Sequence, residues 1–287
     1  MLQIDYYRPS PSRRQCLYLG MTQKTLLGWV CMAVALAVTR ASRRVLVLGG
    51  TGFVGQQFIQ SAVRSGRDIE VVAVSRRGEA EGVLKNSRVK YISADVGDAS
   101  ALRDLHQRLG PFDSCLHCIG LLFDQDSGLS GLNRFASGSG STPDASSTYD
   151  KVTRQTAMNA IDAFLEFGGS GKPFVFISAA EAGWTFRTPV DFLERYLTAK
   201  RAVESRLLGS ALRPVIFRPS IIWTKERPQG LLSAVPFYIA NKVGIPFIDR
   251  PVRVDALAVA ILRSMFDDET VSGLQNYRSI EALSAAK

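Results

Sequence analysis

Cysteine and histidine are sparse in this chain: four Cys and two His among 287 residues. A disulfide-knotted secreted module needs a denser cysteine framework. His117 lies in an apolar run and reads as a buried core residue, and His106 reads as part of a helix face. Cys115 and Cys118 have metal-like spacing, but they lie in an apolar run, residues 114–119, that reads as a buried strand. Three residues along a strand cover about 10 Å, and the two thiols face opposite sides. Neither a disulfide nor a tetrahedral metal site follows from that geometry, so no metal site is expected. Long apolar runs are also scarce. The one candidate, residues 26–38, has thirteen residues, against about 20 for a spanning helix.

Acid is nearly missing from the first 44 residues, where Asp5 alone faces seven Lys and Arg. Most of the net charge of +9 therefore sits in that stretch, and the rest of the chain carries only +3. A basic body would suggest nucleic acid; a basic beginning suggests addressing, and no nucleic-acid partner is expected. Residues 1–44 read as a targeting leader or a short anchor. The pattern fits a mitochondrial presequence, a two-part plastid or secretory leader, or a retained short anchor. Mitochondrial localisation is the first expectation and a plastid the second.

From residue 45 onward the composition supports a globular domain. With 46% hydrophobic and 21% charged residues over the whole chain, disorder, collagen and a coiled coil are excluded. Short β-favouring runs at 45–48, 69–74, 89–92, 114–119, 174–178 and 214–217 alternate with helix-length segments. That alternation predicts an α/β fold, a doubly wound parallel sheet with helices on both faces. Helices are expected to about residue 65, then over 99–109, 149–167, 190–208 and 255–265, with Asp98 and Asp255 as N-caps. A Ser/Gly/Asp/Pro-rich stretch, residues 124–148, reads as a flexible insert. Residues 219–250 are Pro-rich and read as a small irregular region on the substrate side, with one short apolar segment around residues 231–239. Residues 45–287 thus form one expected domain.

The run Gly49-Gly50-Thr51-Gly52-Phe53-Val54-Gly55 follows a predicted strand and opens a predicted helix. Gly49 suits a tight turn, Gly52 lets backbone approach a pyrophosphate, and Gly55 lets the helix pack on the sheet. At the end of the second strand an NAD site usually offers a carboxylate to the ribose. Here stand Ser75, Arg76 and Arg77. Two guanidiniums can fork onto a 2′-phosphate, so NADP(H) is favoured over NAD(H).

Together with Ala94-Asp95-Val96, Ile119-Gly120 and Tyr196-x-x-x-Lys200, the glycine motif resembles the extended or atypical short-chain dehydrogenases/reductases. The likeness covers about residues 43–273. It implies that Asp95 and Val96 sit near an adenine, and that backbone at Gly120 passes the cofactor. The segments HCIGLLFD, FISAAEAGW, RYLTAKRAVE with Glu204, FRPSIIW and RPVRVDALAVAI resemble one branch in particular. That branch contains a coenzyme Q biosynthesis accessory protein and the Rossmann accessory subunit of respiratory complex I. It implies a role in or around mitochondrial ubiquinone biosynthesis, and a membrane-associated organellar complex as a partner.

Tyr196 and Lys200, at i and i+4, share a helix face. An ammonium beside the phenol would favour phenolate and make Tyr196 an acid/base, while Lys200 also bonds the nicotinamide ribose. Ser178, at the end of the fifth strand, would polarise the substrate oxygen. The alternative is a protein that binds nucleotide without catalysis, with Tyr196 packed in the core, as an accessory factor of a complex.

Overall fold

The computed structural model describes residues 42–128, 147–226 and 228–286, with no side-chain account for 228–233. The expected leader lies almost wholly outside the described residues, and so does most of the 124–148 insert.

Seven strands run parallel in the order β3-β2-β1-β4-β5-β6-β9. They are β1 (Arg43–Leu48), β2 (Ile69–Ser75), β3 (Val89–Ser93), β4 (Ser114–His117), β5 (Pro173–Ile177), β6 (Arg213–Phe217) and β9 (Gly273–Gln275). A separate two-stranded pair joins β7 (Ile222–Trp223) to β8 (Val252–Arg253). The helices are α1 (Phe53–Arg64), α2 (Ala99–Leu109), α3 (Thr156–Glu166), α4 (Asp191–Leu208), α5 (Pro228–Lys242), α6 (Val254–Phe266) and α7 (Tyr277–Ala285).

Period-two alternation along β1 builds both cores. Val45 and Val47 face a cluster with Phe58 and Ile59 of α1, Leu257 and Ile261 of α6, and Ile280 of α7. Leu46 and Leu48 face the opposite cluster with Leu102 and Leu105 of α2, Ile161 and Phe164 of α3, and Val203 and Leu207 of α4. A strand buried on both faces is nearly continuous in apolar residues, as RRVLVL is after its first two positions. β1 starts at Arg43, two residues before the expected domain start. Arg44 pairs with Glu70 at 3.2 Å and the Arg43 guanidinium lies 5.3 Å from the Phe266 ring centroid.

Cys115 sits in the second cluster, Cys118 packs against the first, and both are free thiols. Asp98 caps α2 as expected, accepting from the Ser100 and Ala101 amides. Three expectations need correction. The 219–250 region is not irregular throughout, because α5 occupies fifteen residues of it, begun by Pro228 and continuing through Pro236. A proline at the first helical position costs nothing, since its missing N–H would have had no partner. Asp255 does not cap α6: Arg253 holds the cap position without a side-chain bond, and Asp255 pairs with Arg253 from the first turn. The helix expected over 149–167 opens instead with a π-helical turn, Asp150–Gln155, before α3.

Candidate functional site

The strand order reverses between β1 and β4, where open α/β sheets leave a crevice at their carboxyl ends. A cleft of about 630 Å³ opens there. Gly49, Thr51 and Gly52 line it from the β1–α1 turn, Ser75, Arg76 and Arg77 from the end of β2, Asp95 and Val96 from the end of β3, and Gly120 from beyond β4. The structure thus brings together nine of the residues that sequence reasoning assigned to the cofactor.

Local chemistry explains the turn. Gly49 has φ 94, and a Cβ there would come within 3.1 Å of the Cys118 backbone and the Ile119 side chain. A Cβ on Gly55 would stand 2.3 Å from the Gly49 carbonyl oxygen, so α1 can start this close to the turn only with glycine. A Cβ on Gly52 would meet only the Gly49 carbonyl, at 3.1 Å, and Gly52 lines the cleft. No side chain caps α1 and no acid lies in its first turn, leaving that helix end suited to an anion. Phe53, Val54 and Gly55 do not line the cleft; they begin α1, and Val54 packs into the core. The loop carrying the arginines is tied down by Ser75 Oγ donating to Gly78 O at 3.1 Å and Ser93 Oγ to Arg76 O at 2.8 Å.

Lys151, Gln155 and Thr156 also line the cleft, and sequence reasoning missed them. Lys151 adds a third cation to Arg76 and Arg77. The π-helical turn that carries Lys151 had no sequence signal beyond its place after the insert. The described ends of that insert are fixed: Gln125 N donates to Ser147 O at 3.3 Å, and Tyr149 Oη donates to Leu122 O at 2.8 Å.

Tyr196 and Lys200 lie together beside the cleft rather than in its lining, and Ser178 stands one residue past β5. Lys200 is buried, and its Nζ donates to the Ile177 carbonyl at 2.7 Å. It lies 4.8 Å from the Phe176 ring centroid and 5.6 Å from that of Tyr196. A Cβ on Gly120 would lie 3.6 Å from Nζ, so the ammonium stands just behind the cleft wall. Ser178 is next in the chain to Ile177, and its buried Oγ has no hydrogen-bond partner among the described residues. Tyr196 packs with Ala179, Ala182 and Leu197, alongside Trp184, and meets the Tyr149 ring edge-on at 5.5 Å.

The electrostatics correct one expectation. Burial, followed by the charges of Glu181 and Tyr149, pushes the Tyr196 phenol above its ordinary value of 10.0. Lys200 does not hold it as phenolate. Burial brings Lys200 itself down to about 8, against the opposing pull of Glu204 and Cys118. Glu204, one turn beyond Lys200 on α4, is buried and grips Arg218 with both oxygens, at 2.9 and 2.6 Å. Burial raises the Cys118 thiol to about 12, leaving it a neutral wall of the cleft.

A family described as NAD(P)H-binding matches residues 49–265. The chain belongs to that family. It is 27% identical over 248 residues to an uncharacterised chloroplastic protein of Arabidopsis thaliana, covering 79% of this chain and 73% of that one. It is 25% identical over 216 residues to MIOREX complex component 2 of Saccharomyces cerevisiae, covering 64% and 74% respectively. Among solved structures, WbmH of Bordetella bronchiseptica in complex with NAD+ superposes with TM-score 0.56 at 17% identity, over 82% of this chain and 75% of that one. ElxO with NADP bound gives 0.57 at 16% identity, over 82% and 97%. These likenesses establish the doubly wound fold, and proteins sharing it hold either dinucleotide.

Proposed function

We propose that this chain is an NADP(H)-binding oxidoreductase of the atypical short-chain dehydrogenase type, acting on an apolar small molecule in or in support of mitochondrial ubiquinone biosynthesis. The cation set Arg76, Arg77 and Lys151 around the cleft, with no carboxylate at the end of β2, supports the 2′-phosphate form of the cofactor. The observation that carries the catalytic reading is Lys200, a buried ammonium against the cleft wall at Gly120. Bound there, the nicotinamide supplies or accepts the hydride. Tyr196, protonated at neutral pH because its pKa is raised, donates its phenolic proton to a carbonyl oxygen as that oxygen gains charge. Ser178 Oγ supplies a second hydrogen bond to the same oxygen. This arrangement favours reduction. The leader pattern supports a mitochondrial address, with a plastid as the alternative in view of the chloroplastic relative.

The second reading is a nucleotide-binding accessory factor of a membrane-associated organellar complex. The packing of Tyr196 against Tyr149 and the resemblance to a MIOREX complex component favour it. Tyr196→Phe separates the two. Under the catalytic reading it leaves the NADPH dissociation constant unchanged and lowers turnover of quinone-pathway carbonyl intermediates by about 10²–10⁴-fold. Full rescue of a deletion strain by Tyr196→Phe at native expression, with Gly52→Val failing, ends the catalytic reading.

A further inference from the structure

Among the described residues, eight of the eleven large apolar side chains that stand exposed fall in two short segments, residues 186–190 and 235–247. Val235, Tyr238, Ile239 and Val243 follow the i, i+3, i+4, i+8 spacing of one helix face, and each is between 44% and 68% exposed. Such a stripe ordinarily faces a core. Here Ala234, Phe237 and Asn241 turn toward the protein while the apolar stripe turns outward. Ile245 and Phe247, 47% and 63% exposed, continue it on the turn after α5.

Aromatic rings brace that turn. Trp184 stacks on Phe186 with centroids 5.1 Å apart, Phe186 meets Phe247 edge-on at 5.3 Å, and Trp184 Nε1 donates to the Phe247 carbonyl at 3.1 Å. Phe247 holds φ 68, a left-handed conformation that is costly for a bulky residue. The turn therefore keeps a large ring in solvent at some expense.

Charge selects the occupant. Arg187 and Lys242 are exposed within these segments, Arg187 beside a cleft that also carries Asp124, Asp126, Asp191 and Glu194. Arg250 lies 4.9 Å from the Tyr238 ring centroid and pairs with Glu281. The one acid in residues 235–250, Asp249, has its carboxyl pushed up by partial burial. Lys242 adjoins Val243, the most exposed apolar residue of the stripe. A flat protein interface would have to desolvate that ammonium, whereas at a bilayer its stem lies along the acyl region and its head reaches a phosphate. No helix among the described residues is long and apolar enough to cross a membrane.

We propose that the outward stripe of α5 and the turn after it dock on an anionic phospholipid surface, with Val243, Ile245 and Phe247 inserted among the acyl chains and Arg187 and Lys242 on headgroup phosphates. Trp184, which braces this turn, packs against the same Ala179, Ala182 and Leu197 cluster as Tyr196, so the docked face adjoins the Tyr196 group. Docking does not depend on catalysis.

Flotation of the full chain with vesicles of phosphatidylcholine alone, or of phosphatidylcholine with cardiolipin, tests the proposal. The double variant Val243→Asp/Phe247→Asp is compared with Leu208→Asp/Leu274→Asp, which changes charge equally at exposed apolar positions elsewhere. Thermal melts establish that each variant folds. The wild type and the control should float with cardiolipin vesicles and less with phosphatidylcholine alone. The 243/247 variant should partition roughly tenfold less, having lost two insertions and gained two repelled charges. Equal flotation of that variant would assign binding to another part of the chain, such as residues 1–44, and overturn the proposal. No flotation of the wild type would overturn it too, as expected if a protein partner covers this face.

Discussion

Burial lowers the affinity of Lys200 for its proton, and the Glu204 carboxylate one turn further along α4 restores part of it. The folded-state value of about 8 lies below the ordinary 10.5, so the ammonium persists below about pH 8 and is lost above it. NADPH-dependent turnover should therefore fall as pH rises through about 8. Glu204→Gln removes the carboxylate that raises this value and should move the fall to lower pH. A wild-type profile flat to pH 10 would show that Lys200 does not limit the reaction. The residue types and spacing at Tyr196 and Lys200 were legible in the sequence. Their protonation was not, because it depends on how deeply α4 is buried and on the Glu204–Arg218 pair, whose partners come from different elements.

The β1–α1 turn is the element on which cofactor binding rests, and its glycines could be read from spacing because each answers a separate steric demand. Gly55→Ala places a methyl group 2.3 Å from the Gly49 carbonyl oxygen. Backbone must move to admit it. We expect a loss of about 1–3 kcal/mol in denaturant unfolding, the usual cost of overpacking, together with weakened NADPH binding. Gly66→Ala, where nothing lies within 4 Å but φ is 69, should cost less, about 1 kcal/mol, and leave the cofactor affinity alone. Helix α2 was legible because its length and the Asp98 start signal agree, and α4 was legible from its helix-length run alone, since no side chain caps it. α5 was not: Pro228 and Pro236 read as breakers, which outweighed the short apolar segment around residues 231–239. The short β9 (Gly273–Gln275) and α7 carry too few residues to stand out by periodicity, although Asn276 caps α7 by accepting from the Arg278 and Ser279 amides.

Over the whole molecule, both histidines of the chain are buried against rings of the second core cluster, His106 by Phe112 and Phe164 and His117 by Phe176. Burial brings His106 down to about 4 and His117 down to about 3, from an ordinary 6.5. In the unfolded chain both protonate near pH 6.5, whereas in the folded protein they stay neutral. Stability is therefore fully present above about pH 6.5 and is lost as pH falls toward 4. At pH 5 the two together account for roughly 4 kcal/mol. Denaturant titrations at pH 7 and pH 5 measure that difference, and neither imidazole should titrate by NMR between pH 8 and 5. The parallel sheet was legible as a rhythm of strands and helices; the strand order, and with it the switch point between β1 and β4, comes from the structure. The third cation, Lys151, was not, because the chain leaves the β4 end through the 124–148 insert before it returns along the cleft. The central claim is that this cleft recognises the 2′-phosphate through its cations. Calorimetric titration of the full chain with NADPH and with NADH, at one ionic strength, tests it most directly. The account predicts NADPH binding at least about tenfold tighter, the worth of one or two charge-assisted hydrogen bonds, with Arg76→Ala/Arg77→Ala closing most of the gap. Equal dissociation constants for the two dinucleotides in the unaltered protein would contradict it.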